Sequence, residues 1–191
     1  MEHNRVFRIN DQDIGELRDR MGAPAALIDA YANWVVKAEQ LDSLIRKIND
    51  AFTGQSLGDG TGLLEANGLD DYATAEELVA LRSRDEQSDW RRIDVETLNR
   101  CYAAPTFMNP RGFVFHLPAF LIAELNDNFD YGFIDRMIDP DSLSSEWIDL
   151  LNTAQSTVIA DVLRLIADHP DYCDRSADIQ RTMRHLEEKA G

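Results

Sequence analysis

His116 sits inside Phe113-Val-Phe-His-Leu-Pro-Ala-Phe-Leu121 and is the residue of this chain best placed for acid–base chemistry. Burial in such a run lowers an imidazole pKa, and a nearby carboxylate raises it. With acids beside it, His116 would suit a small carboxylate- or metal-dependent hydrolase. Hydrogen-bonded in the core it would be structural, and the apolar surroundings favour that reading. No Gly-x-Ser-x-Gly elbow and no protease-type cysteine signature accompanies it, so no catalytic residue is assigned.

His169, Asp171 and Cys173 alternate in one short segment and could offer three metal ligands. Zinc usually takes four, and His3, His116 and His185 form no pairing motif with them. His169-Pro170 reads instead as the end of a helix, where a histidine faces the negative terminus. Asn126, Asn128, Asp130 and Gly132 resemble the front of a calcium loop, but the glycine comes one residue late and the twelfth position is Met137. Asp139-Pro-Asp141 has the same weakness. The glycines of Leu57-Gly-Asp-Gly-Thr-Gly-Leu63 suggest a phosphate cradle, yet no Gly-Lys-Ser/Thr follows and Leu63 stands where a dinucleotide fingerprint needs glycine. The expectation is therefore no metal and no cofactor, with residues 53–74 as a long, flexible glycine-rich loop.

The remaining signal is charge. The chain has 191 residues, 35 acidic against 19 basic, for a net charge of −16, and residues 51–150 carry −12 of it. Nucleic acid and anionic membrane surfaces are repelled by such a surface. An acidic run with aromatics, made of Asp70, Asp71, Tyr72, Asp85, Glu86, Asp89 and Trp90, is what a basic protein partner would meet, and these are the candidate partner-binding residues. Neutralising a toxin is one role of that kind. A solvated helix face with Trp90 in the core, and a plain helical subunit of an oligomer, are the competing structural readings. Two cysteines, Cys101 and Cys173, exclude a disulfide-dense scaffold and point to a reduced cytoplasmic setting. The start of the chain is too polar for a signal peptide, and the most apolar stretch, 113–125, is too short for a bilayer.

The elements that must position these residues are helical. Leu27, Tyr31, Trp34, Val35, Ala38, Leu41, Ile45, Ile48 and Phe52 recur at three- and four-residue spacing, which predicts one long helix over 24–52 closed by Gly54. Asn10 or Asp11 would cap a shorter helix before it. A helix over about 75–83 follows the loop, Asp94 caps another, and Asn109-Pro110 opens an apolar element through Leu125 that must accommodate Pro118. Ser144 or Ser145 would cap a second long helix over 145–168, and a weaker stripe near 174–189 ends the chain. The only strand-like alternation is Phe113, Phe115, Leu117. These patterns predict one all-α domain, 1–191, a helical bundle with two long helices and residues 1–23 as an N-terminal helix or arm.

Asp89-Trp-Arg-Arg-Ile93, Phe107-Met-Asn-Pro-Arg-Gly-Phe113, Phe115-His-Leu-Pro-Ala-Phe-Leu121 and Leu150-Leu-Asn-Thr-Ala-Gln155 together resemble an uncharacterised bacterial family of small proteins. Its members share a Phe-x-Leu-Pro-Ala-Phe core segment and a later Leu-x-x-x-Gln helix. The resemblance covers about residues 45–190, implies a soluble, mostly helical bacterial domain, and carries no activity across.

Overall fold

The computed structural model describes residues 5–139 and 146–190, and within them short polar side chains decide where several helices begin. Asn10 accepts the backbone N–H of Gln12 and Asp13 and starts α1 (Asp11–Asp19). Pro24, which has no N–H to satisfy, precedes α2 (Ala25–Ala38), and α3 (Leu41–Ala51) follows after two residues. Next come α4 (Leu63–Asp70) and α5 (Ala75–Arg82), the latter capped by Thr74. Asp94 accepts the Thr97 N–H at 2.7 Å to start α6 (Val95–Arg100), and Asn109 accepts the Gly112 N–H at 2.8 Å to start α7 (Pro110–Leu125). Then follow α8 (Phe133–Ile138), α9 (Glu146–Asp149), α10 (Thr153–Ile166) and α11 (Ser176–Ala190). Among the described residues there is no strand. Phe113, Phe115 and Leu117 lie within α7, not on a strand.

The core forms around α7, whose residues 112–121 are all buried, and the helix continues through Pro118 to Leu125. It packs on α3, α8 and α9, while α10 lies between α3 and α11. Phe113 and Phe120 stack on Phe133, with ring centroids 5.5 and 5.1 Å apart, and fasten α8 to α7. No helix among the described residues is long and apolar enough to cross a membrane.

Two expectations about length are corrected. The helix expected over 24–52 is two helices, because Glu39 and Gln40 form a turn in which the Gln40 N–H reaches only three residues back, to the Lys37 carbonyl. Both residues keep near-helical angles, so the apolar spacing passes through the turn undisturbed. The helix expected over 145–168 is interrupted before α10, where extended Asn152 and Gln155 bond to each other's backbone N–H at 3.0 Å and begin a new helix. The expected cap at Ser144 or Ser145 lies outside the described residues. Among the described residues the longest helices are instead α7 and α11.

The glycine-rich stretch is also more ordered than a 22-residue loop, since α4 occupies part of it. Its glycines permit backbone to touch backbone. A Cβ on Gly60 would lie 2.5 Å from the Gly112 nitrogen at the start of α7, and one on Gly112 would strike Thr61. Asn109 binds this loop as well as its own helix, accepting the Thr61 N–H at 3.0 Å.

The N-terminal segment crosses the molecule and is pinned by a single carboxylate. Asp127 accepts the N–H groups of Val6, Phe7 and Arg8 at 3.1, 2.9 and 2.7 Å. The Trp34 indole N–H donates to the Phe7 carbonyl at 3.0 Å, and both side chains are fully enclosed.

Candidate functional site

The acidic run divides into two environments. Asp70 and Asp71 close α4, whose last turn has no basic residue, so two carboxylates stand at the negative end of a helix with no cation on it to offset them, and the Asn67 side-chain amide donates to Asp71 at 2.8 Å. Tyr72 follows in the left-handed region at φ 57°, where glycine or asparagine is the usual occupant, and the Ala73 N–H closes the turn on the Gly68 carbonyl at 2.8 Å. Its side chain is 95% exposed. Leu69 and Val79 on the same helical hairpin are exposed too. Thr74 and Glu77 form a reciprocal cap at the start of α5, and those hydrogen bonds hold the Glu77 carboxyl below its ordinary range. Gly68 lets the two helices approach, for a Cβ there would strike the Leu81 side chain. The corner is thus a rigid support for an aromatic ring surrounded by acids.

The second half of the run is built differently and corrects part of the expected binding surface. Asp85 is buried and accepts the Leu64 and Glu65 N–H groups at 2.7 and 3.2 Å, capping α4 from outside it. Burial raises its carboxyl against the opposing pull of those N–H groups and Arg82. Trp90 is also buried, with its indole N–H donating to the Phe52 carbonyl at 3.0 Å and the Arg91 guanidinium 4.9 Å from its ring centroid. The polar groups of both are taken up by backbone partners within the protein. Glu86 binds Ser88 and the Asp89 N–H, which lowers its carboxyl to about 2, and Asp89 caps the short turn Trp90–Arg92. Beside them a groove of about 320 Å³ is lined by Arg84, Arg92 and Arg100 as well as Asp85, Glu86 and Asp94. Charge there is balanced. Of the seven expected residues, Asp70, Asp71 and Tyr72 share one corner, Glu86 and Asp89 serve local turns, and Asp85 and Trp90 belong to the interior.

His116 is buried, and its Nδ1 lies 2.7 Å from the Gly112 carbonyl, which requires Nδ1–H to donate. Its Nε2 has no partner. Desolvation lowers the imidazole to about 4, with the Arg82 charge acting in the same direction, so the ring is neutral at pH 7. The charge that acts on it is a guanidinium and not the pair of carboxylates a hydrolase would place there. His169, in contrast, is occupied on both nitrogens: Nδ1 accepts the Asp171 N–H at 3.1 Å and Nε2–H donates to the Val6 carbonyl at 2.9 Å. Burial lowers its pKa. With no free lone pair it cannot ligate beside Asp171 and Cys173. Among the described residues no group of three His, Cys, Asp or Glu side chains could hold a metal ion, the 126–132 turn included. The glycine loop offers no cradle either, since Arg82 binds the Gly58 carbonyl at 2.8 Å and the Gly60 carbonyl, and Asn109 takes the Thr61 N–H.

No curated protein and no solved structure matches this sequence. Residues 40–188, from the turn before α3 to the last residues of α11, match a family model, and the chain belongs to that family, the family of unknown function DUF6714.

Proposed function

We propose that this chain is an acidic interaction protein that binds a basic protein partner through the α4–α5 corner, with toxin neutralisation as one such role and the bacterial cytoplasm as its setting. The observation that carries the reading is Tyr72, a 95% exposed aromatic in a left-handed backbone conformation between Asp70, Asp71 and the acidic first turn of α5. Holding tyrosine where glycine would be unstrained costs stability, and such strain gathers at binding positions. A cationic partner would relieve the excess negative potential at the end of α4 and bury the ring.

The test is capture from a native lysate by the wild type and by Tyr72→Gly and Asp70→Asn/Asp71→Asn variants, followed by kinetics with the captured protein once purified. The expected partner is basic, its association slows as salt rises while dissociation changes less, and both variants lose it. Equal capture by all three proteins would overturn the reading. Thermal melts of the variants check that they are folded.

A further inference from the structure

Away from that corner, the N-terminal segment, the turn after α7, the start of α8 and the turn Pro170–Arg175 enclose a cleft of about 390 Å³. Five carboxyl groups line it, Glu124, Asp127, Asp130, Asp135 and Asp171, and no lysine, arginine or histidine does. Asp127 is occupied by the N–H groups of residues 6–8, Asp135 pairs with Arg175 at 3.0 Å, and Asp171 accepts the Tyr31 hydroxyl. The apolar wall is aromatic: Phe7, Phe129 and Tyr172.

Tyr172 is the informative residue. It is 94% buried, its exposed fraction being 6%, and its hydroxyl makes no hydrogen bond among the described residues. Burial holds the proton on that phenol, and the carboxyl groups of Glu124, Asp135 and Asp171 reinforce it. The side chain lines the cleft, so its hydroxyl, without a protein partner among the described residues, is open to a ligand atom that enters there. Glu124 forms the floor. It is buried, accepts the Ile134 N–H at 2.7 Å and is held up to about 8 by desolvation, with the Phe133 and Ile134 N–H groups opposing and Asp135 and Asp127 reinforcing.

We propose that this cleft binds a compact organic cation, a primary alkylammonium group, between the aromatic wall and the carboxyl floor. The ammonium donates to the Tyr172 hydroxyl oxygen and to Glu124, its charge faces Asp171 and Asp135, and its alkyl chain lies against Phe7 and Phe129. A metal ion is the poorer occupant because these carboxyl groups do not converge as a ligand set. A cavity of this size matches a small ligand or one side chain. Because the cation favours ionised Glu124, binding near neutral pH displaces its proton to the buffer. The assignment does not rest on the α4–α5 corner, which shares no residue with the cleft.

The test is calorimetric titration of the full chain with butane-1,4-diamine and with Nα-acetyl-lysine amide, using butane-1,4-diol as the uncharged control and buffers of different ionisation enthalpy. Saturable binding of the amines and not of the diol is expected, with proton release that disappears in Glu124→Gln. Tyr172→Phe keeps the ring and the packing, so it should fold as the wild type does and bind about tenfold more weakly. Whichever amine binds more tightly identifies the source as a free diamine or a lysine side chain, and either result supports the site. Absence of saturable binding by about 10 mM, or equal affinity in wild type, Tyr172→Phe and Glu124→Gln, would overturn it. Cleft variants that lose the amine but still capture a basic protein would separate this site from the corner.

Discussion

The carboxylate of Asp85 accepts the Leu64 N–H at 2.7 Å, so the first turn of α4 is capped by a residue 21 positions further along the chain. Gly62, at the N-cap position, has no side chain to do this, and a Cβ there would collide with the Asp85 carboxylate. The two residues solve one problem jointly: glycine makes room and aspartate fills it.

Asp85→Ala should therefore cost about 1–2 kcal/mol, as loss of a helix cap does. Gly62→Ser alone should destabilise through the collision. In the Asp85→Ala background the same serine can reach the N–H groups of the first turn, and the double variant should recover much of the loss in a urea melt. Additive losses would show that Asp85 acts by some route other than the cap.

Tyr72→Gly should raise stability by about 0.5–1 kcal/mol, because glycine adopts φ near 57° without strain. The same change should abolish partner capture. A variant that gains in melting temperature while losing binding separates the role of this residue from any contribution to folding.

Glu124 and His116 make stability depend on pH in opposite directions. Folded Glu124 keeps its proton up to about 8, whereas the unfolded residue loses it near 4.3, so the stabilisation present in acid is lost as pH rises through 8. His116 titrates near 4 when folded and about 6.5 when unfolded, so its contribution is present above 6.5 and lost as pH falls through 4. From about pH 5 to about pH 9 the wild-type Tm should fall by about 5 °C or more relative to Glu124→Gln. Parallel curves for the two proteins would place the Glu124 pKa in its ordinary range.

Asp127→Ala removes the acceptor from three backbone N–H groups at once and should cost about 3 kcal/mol or more. Amide exchange at Val6, Phe7 and Arg8 should accelerate together. Trp34 fluorescence should shift, because its indole donates to the Phe7 carbonyl.

The all-helical class was legible because caps and apolar spacing are local. Asn10, Asp94 and Asn109 start helices as their side chains predict. The break at residues 39–40 was hidden by backbone angles that stay close to helical and leave the spacing intact. The one before α10 was written in the sequence as Asn152-x-x-Gln155, a reciprocal cap that the continuous apolar stripe obscured. α4 escaped notice for a different reason: the side chain that caps its first turn lies on another segment, and Glu65, which accepts the Gly62 N–H locally, follows a glycine that carries no capping side chain of its own. The acidic run predicted a charged surface but could not separate Tyr72, which is exposed, from Asp85 and Trp90, which are not. The cleft was invisible at this level, since Phe7, the Glu124–Asp135 segment and Tyr172 come from three distant stretches and meet only through packing.

The strap formed by residues 6–8 bears on how the protein is made. Phe7 is held by Asp127, 120 residues later, so at about 5–20 residues per second a ribosome needs about 6–24 s to deliver the carboxylate that the first segment requires. Throughout that interval α2 and the strap have no finished surface to close upon, and Phe7 and Trp34 remain accessible to chaperones. The strap is made 120 residues before the carboxylate that seats it, so it closes only after α7 and the turn that follows have been delivered.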